Sequence, residues 1–312
     1  MMNDYTTEAD DPLFLRCKTR FTRKEKDAFL DRCKAEFSRL GYGEHEITVQ
    51  KSVFGKNLVV GPPDADTLIT AHYDTPGRTG FLLAADPLVG NLLSQVVTML
   101  LYFGYAILLS IALYYLRIES SLLRNFLIIS PLILAMCVKN KDNLNDNTSG
   151  VIGVINVAAH VSGNPDLREK CAFVLFDNEE RGLFGSLAFS RWRSKNFPAK
   201  RKSAVINLDC IGCGDIVFLA AHRKNTTWHT LAEHLENTEN IDLVKEINWC
   251  YISDNFHFPE GVMLSFVKKS RLGPIYLPNI HTGKDTVCDL EKIKKLSASL
   301  FEYLKDTERC TP

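Results

Sequence analysis

From Pro87 to Leu116 the chain carries no charged residue, and a second uncharged run extends from Asn125 to Val138. No other feature limits the possible folds as strongly. A membrane-spanning helix needs about 20 apolar residues, so the first run is long enough to cross a bilayer. The second is short, and reaches spanning length only if Ser120–Leu123 join it and Arg124 snorkels. Asn91, Gln95, Thr98, Tyr102 and Tyr105 fall on one helical face of the first run. Such a polar stripe suits packing against a partner helix. Residues 87–138 are therefore expected to form a hydrophobic helical hairpin. Two placements compete: a membrane hairpin or re-entrant anchor, and a hairpin buried in this protein or in a dimer interface. Length and absence of charge favour the membrane. Arg117 and Arg124 lie in the connection and Lys139 and Lys141 follow it, so the flanks leave orientation open.

The rest of the chain has the composition of a globular protein. Of 312 residues, 46% are hydrophobic and 24% charged, which excludes general disorder. The 37 basic and 37 acidic side chains balance, which argues against a nucleic-acid binder. Residues 1–12 hold four acids and no apolar run, so no signal peptide is expected. With Cys 9 scattered along the chain, an intracellular protein with reduced thiols is the expectation. Cys210 and Cys213 form a lone CxxC, read as packed thiols beside a strand end rather than a redox or metal pair.

Hydrophobic periodicity predicts helices over Lys24–Leu40, Ser149–Val161, Leu183–Trp192, Trp228–Leu235 and Leu290–Leu304. Extended segments are expected at Ile47–Phe54, Asn57–Val60, Thr67–Ala71, Ala172–Phe176, Ala204–Leu208, Ile216–Ala220, Leu264–Val267 and Pro274–Leu277. Strands alternating with helices imply an α/β fold: one domain over 1–312, with a mostly parallel central sheet, helices on both faces and the hairpin as an insertion.

Five polar clusters stand at the ends of predicted strands or open the next helix. They are Ala71-His72-Tyr73-Asp74-Thr75, Asn145-Asp146-Asn147-Thr148-Ser149-Gly150, Asp177-Asn178-Glu179-Glu180, Asn207-Leu208-Asp209 and Ile280-His281-Thr282-Gly283. Ligands of open α/β sheets bind beyond the carboxyl ends of the strands, where these clusters would meet. Imidazoles with carboxylates suit zinc or a similar divalent metal. His72 and Asp74 are two apart, so on an extended backbone they point the same way. One can bind metal while the other receives its second N–H. Glu179 and Glu180 diverge at a strand end, so one can bind metal while the other faces water.

In their order these motifs resemble those of the co-catalytic di-zinc aminopeptidases, a family that includes glutamate carboxypeptidase and glutaminyl cyclase. The resemblance covers roughly residues 24–86 and 139–305, and its most specific piece is Glu179-Glu180-Arg181-Gly182-Leu183-Phe184-Gly185-Ser186. It implies two Zn2+, with Asp146 bridging, His72 and Asp209 on one metal and Glu180 and His281 on the other. It implies Glu179 as general base, Asp74 supporting His72, and Asp285 in an outer supporting position. The implied activity is that of an exopeptidase acting on N-terminal peptide bonds. Alternatives are hydrolysis of a non-peptide or lipophilic amide, a glutaminyl-cyclase-like acyl transfer, and a non-catalytic binding module. Asp254, His257 and Phe258 fall in a segment similar to the family's substrate-side motif, although Asn255 stands where histidine is usual. Met263 stands where proline often follows Gly261-Val262.

A single membrane crossing would put Asp74 and Asp146 on opposite sides, so the insertion must leave and return. The expected partners are a peptide or small amide and a membrane touched through 87–138, with no nucleic acid. The expected location is membrane-associated with a cytosolic catalytic domain, or else the cytoplasm.

Overall fold

Alternation of side chains along each strand decides which residues face which helical layer. The computed structural model describes residues 17–78, 90–222, 225–239, 243–247 and 252–309. Residues 1–12 and Pro87, on which parts of the sequence reading rest, lie outside these. The first helix, α1 (Arg23–Arg39), opens on a capping box in which Thr22 and Glu25 satisfy each other's backbone N–H groups. It buries Phe29, Leu30, Cys33 and Phe37 on one face, and Lys26 with them.

Strands β1 (Ile47–Ser52), β2 (Gly55–Val60) and β3 (Thr67–His72) follow. Beyond the hairpin come α4 (Gly150–Ser162), α5 (Pro165–Lys170), β4 (Cys171–Phe176), α6 (Phe184–Asn196) and β5 (Ala204–Leu208). The chain then forms β6 (Ile216–Ala221), α7 (Thr226–Glu239), β7 (Leu243–Ile247), β8 (Gly261–Lys269), β9 (Ile275–Tyr276) and α8 (Leu290–Arg309). The sheet order is β1-β2-β4-β3-β5-β8-β6-β7, with β9 beside β8. The central strands β4, β3, β5 and β8 run parallel. Antiparallel pairing begins on either side, at β2–β4 and at β8–β6.

Ile69, Ala71, Phe173, Leu175, Ile206 and Leu208 point to one face, into a core shared with α1, α4 and α8. Leu68, Val174, Phe176 and Val205 point to the other, against Phe189 and Trp192 of α6. Both faces of the central strands are thus covered, as their unbroken apolar runs require. The parallel strands deliver their carboxyl ends to one edge, and the polar clusters after β3, β4 and β5 meet there. Sequence periodicity missed α5 and β7, which are short, and it gave β8 only its central portion.

The insertion is a helical hairpin, α2 (Gly90–Tyr115) and α3 (Ser121–Cys137). Its two ends close on each other: Gly77 and Lys139 form an antiparallel bridge. Arg78 N–H donates to the Val138 carbonyl at 2.5 Å, and Asn140 N–H to that of Pro76 at 3.2 Å. Over Val96–Tyr115 the mean hydropathy is 2.2, yet only 6% is buried. This excludes burial of the described helices in the chain's own core. Two residues of the polar stripe face the partner helix: Tyr102 and Tyr105 Oη donate to the carbonyls of Ile128 (2.8 Å) and Leu127 (3.2 Å). The side chains of Asn91 and Gln95 lie outside the described residues.

Candidate active site

The site is assembled from the ends of β3, β4 and β5 and two loops. β3 ends at His72, which is buried. Its Nδ1 lies 3.2 Å from the Asp74 carbonyl and 3.6 Å from Asp74 Oδ1, so Asp74 orients the ring, as expected from the two-residue spacing. The opposite nitrogen, Nε2, faces Asp146 Oδ1 at 3.3 Å and Asp209 Oδ1 at 3.6 Å. The other oxygen of Asp146 faces His281 Nε2 at 3.1 Å, and Glu180 Oε2 lies 3.3 Å from the same nitrogen. Asp146 thus has one oxygen in each of two donor sets, His72–Asp209 and His281–Glu180. Glu179 groups with His72 and Glu180.

Asp146 is held by its backbone and neighbours. Asp285 accepts the N–H groups of Asn145 (2.8 Å) and Asp146 (2.9 Å) through its two oxygens. Asp285 therefore supports the loop that carries Asp146. Asn147 accepts from Gly150 N–H at 3.0 Å and Cys210 N–H at 3.2 Å, and donates to the Leu208 carbonyl at 2.9 Å. The loop is thereby tied to the end of β5. A Cβ at Gly150 would lie 2.3 Å from that Leu208 carbonyl oxygen, so only glycine lets α4 start so close to the strand. Likewise a Cβ at Gly185 would lie 2.2 Å from the Asp177 carbonyl oxygen. This explains the small residue soon after the Glu179-Glu180 pair: α6 begins against the end of β4.

Asp74 connects the two halves of the site, because its Oδ1 also accepts the Glu179 N–H at 3.0 Å. Burial pushes the Glu179 carboxyl well above the usual carboxylate range; His72 opposes this, while Glu180 and Asp209 add to it. Burial and the nearby Asp146 charge raise Glu180 similarly. Burial disfavours charge on His72, but Glu179, Asp146 and Asp209 outweigh it and hold the imidazole well above its ordinary value. Asp146 lies far below the usual range: burial opposes this, but both histidines stabilise its charge.

The donors fit a divalent cation. Imidazole nitrogens and carboxylate oxygens converge from separate elements, and the buried Glu180 Oε1 has no hydrogen-bond partner. Cysteine takes no part in the described donor groups. Cys210 is buried beside Asp209, its Sγ 3.3 Å from Oδ1, in keeping with a packed thiol.

The structure divides the three substrate-side residues. Asp254 is fully buried, within electrostatic reach of His72 and Glu179, and burial raises its carboxyl to about 7. His257 and Phe258 turn elsewhere and line a cavity of about 410 Å³ with Ser190, Arg191 and Arg193. Phe258 stacks on Phe176 and belongs to the core beneath α6, so the expectation that it contacts substrate is corrected. Asn255 is also buried, its amide donating to the Ala220 carbonyl.

Two basic residues escaped the sequence reading. Lys26 reaches from α1 to Asp177 Oδ1 (2.6 Å) and Asn178 Oδ1 (2.7 Å), and lies 3.9 Å from Asp74 Oδ2. Its position three and four residues before Phe29 and Leu30, on the apolar face, was the available signal. Arg20 is buried and donates to the Tyr73 carbonyl and Thr148 Oγ1. Nothing in the local sequence marked it.

Carboxylate–imidazole donor sets at the carboxyl edge of a covered sheet form a candidate divalent-metal site. Peptidase family M28 matches residues 136–298, just over half of the chain. The chain belongs to that family. It is therefore an enzyme of the metallopeptidase class, with zinc the metal that its motifs imply. Among solved structures, the LapA aminopeptidase of Legionella pneumophila is similar, at 15% identity and a TM-score of 0.60, over 94% of this chain and 68% of that one. A Zn-dependent exopeptidase from Parabacteroides distasonis aligns at 12% identity and a TM-score of 0.56, over 94% of each chain. A glutaminyl cyclase from Porphyromonas gingivalis aligns at 14% and 0.57, over 95% of each. At these identities the likenesses establish the fold. No curated protein matches the chain.

Proposed function

We propose that the protein is a two-zinc aminopeptidase with Glu179 as general base. The observation that carries this reading is Asp146, whose two oxygens each belong to a separate His–carboxylate donor set. His72 and Asp209 would hold one zinc, His281 and Glu180 the other. Such a pair supplies Lewis-acid chemistry: it polarises a carbonyl and lowers the pKa of water. Glu179 stands beside both sets without being needed by either. Its place beside both sets suits it to take a proton from the attacking water and return it to the leaving amine. Asp74 fixes the Glu179 backbone and the His72 ring together, so base and ligand keep their relative placement. The N-terminal cut is inferred from the likeness to aminopeptidases; Asp254, fully enclosed, would bear on the site through its charge rather than by contact.

Glutaminyl cyclase shares this fold, but both donor sets around Asp146 are complete here, which favours two metals and hydrolysis. The exposed apolar hairpin supports a second substrate class, lipophilic amides. The test is metal content together with hydrolysis of unblocked aminoacyl arylamides, with and without chelator, for the wild type and Glu179→Gln. About two metals per chain are expected, with activity lost to chelator and restored by zinc. The variant should keep its metal and lose about 10²–10⁴-fold in kcat. Bound metal without turnover on any unblocked substrate would move the assignment to cyclisation or lipophilic amides. Absence of metal binding would make the chain a binding module.

A further inference from the structure

The hairpin is outside the chemistry above, and it carries a large exposed apolar surface. Leu100, Leu101, Ile107, Leu108 and Leu134 each expose 60% or more of their surface. Monomeric soluble proteins rarely leave a contiguous patch of that kind bare. We infer that α2 and α3 insert into a lipid bilayer as a pair, and hold the metal cluster close to the membrane surface.

Four features of the hairpin select lipid over a protein partner. Apolar residues are exposed around α2 rather than along one stripe, whereas a protein partner would need only one face covered. Val96–Tyr115 alone rises about 30 Å, the thickness of the hydrocarbon layer. Polar hydroxyls within the pair are satisfied internally, as lipid demands: Tyr102 and Tyr105 bond across to α3, and Ser110 and Ser130 bond to the carbonyls of Ala106 and Leu127. At the tip, exposed Tyr114 and Tyr115 precede Arg117, Glu119 and Arg124, an aromatic and charged end suited to a headgroup layer.

The neck fixes where the catalytic unit sits. Gly77 is three residues from Asp74, at most about 10 Å of extended chain. On the returning strand Asn140 donates to the Thr282 carbonyl, next to His281, at 2.9 Å. Both sides of the neck thus join the metal-bearing loops directly, and the returning chain reaches Asp146 on the side from which it left Asp74.

The test is flotation of the full chain with phosphatidylcholine vesicles on a density gradient, after a high-salt wash that removes electrostatically held protein. Circular dichroism and thermal melting monitor the fold. A double variant, Leu101→Glu with Leu108→Glu, places charge at two exposed positions that water tolerates and lipid does not. A second variant replaces residues 79–137 by Asn-Gly, a two-residue turn suited to the antiparallel Gly77–Lys139 bridge. The wild type should float, and the folded double variant should lose at least tenfold in vesicle-bound fraction. The shortened chain, if folded, should remain in the aqueous layer. A wild type that stays in water as a defined oligomer without detergent would overturn the inference and assign the hairpin to chain–chain packing. A folded double variant that floats as well as the wild type would overturn it too. Neither readout depends on peptidase activity.

Discussion

Lys26→Met isolates the interaction by which α1 braces the site. The ammonium lies 2.6 Å from Asp177 Oδ1, and the two side chains are only 8% and 7% exposed. Removing the cation leaves Asp177 charged and enclosed, deprives Asn178 of a donor, and withdraws the positive charge near Asp74. Breaking a buried pair from one side costs about 3–5 kcal/mol, against about 0–1 kcal/mol for an exposed pair. The expected loss is therefore about 3–5 kcal/mol in urea unfolding followed by tryptophan fluorescence at pH 7. Asp177→Asn in the same chain removes the stranded charge while keeping an oxygen to accept the Lys56 N–H. The double variant should recover about 2 kcal/mol of that loss, since neighbouring substitutions couple by about 0.5–3 kcal/mol. Turnover should fall in the single variant, because Asp74 loses a partner while holding both His72 and the Glu179 backbone. A loss below about 1 kcal/mol, the value for an exposed pair, would refute the reasoning. So would a double variant no more stable than the single.

Three further outcomes are expected. Glu25 is partly buried, which works against its charge, but hydrogen bonds from Lys139 and Thr22 pull its carboxyl from 4.5 down to about 2. Its folded value is the lower one, so its stabilisation is present above about 4.5 and lost as pH falls toward 2; thermal melting of Glu25→Gln should fall less steeply over that range than wild type. Gly185→Ala forces a Cβ to 2.2 Å from the Asp177 carbonyl oxygen and should cost about 1–3 kcal/mol in urea unfolding, with kcat falling as the Glu179-Glu180 turn shifts. Arg20→Met strips the side-chain donor from the buried Tyr73 carbonyl and one of two bonds from Thr148 Oγ1, which still donates to the Asn143 carbonyl, and should cost about 1–3 kcal/mol, read by the same unfolding assay.

How much of the site was legible depended on the range of the signal. His72, Asp74, Glu179 and Glu180 follow apolar runs that read as strands, so their place at the sheet edge could be inferred residue by residue. The helix after Asn145–Ser149 was equally plain, as was the long closing helix. β7 was missed because Leu243–Ile247 has a Lys-Glu pair in its middle and lacks an unbroken apolar run. Asp254, His257 and Phe258 were read together from a motif resemblance, whereas the chain turns through a short 3-10 helix over Asp254–His257 and carries Phe258 into the core beneath α6.

By itself the sequence determined the α/β character, the polar clusters at strand ends and the helical hairpin, since these rest on local periodicity and residue chemistry; the donor roles followed from the resemblance that the motifs carry. Only the tertiary structure decided that Asp146 serves two donor sets, that Asp285 grips the Asp146 loop through backbone N–H groups, and that Lys26 and Arg20 brace Asp74 and Tyr73 from the N-terminal segment. It also decided that the hairpin is exposed, and that its two ends pair with each other next to the Asp74 and His281 loops. These contacts join segments more than 40 residues apart in the chain. A local pattern carries no record of such partners, because they are chosen by how the sheet and its covering helices pack.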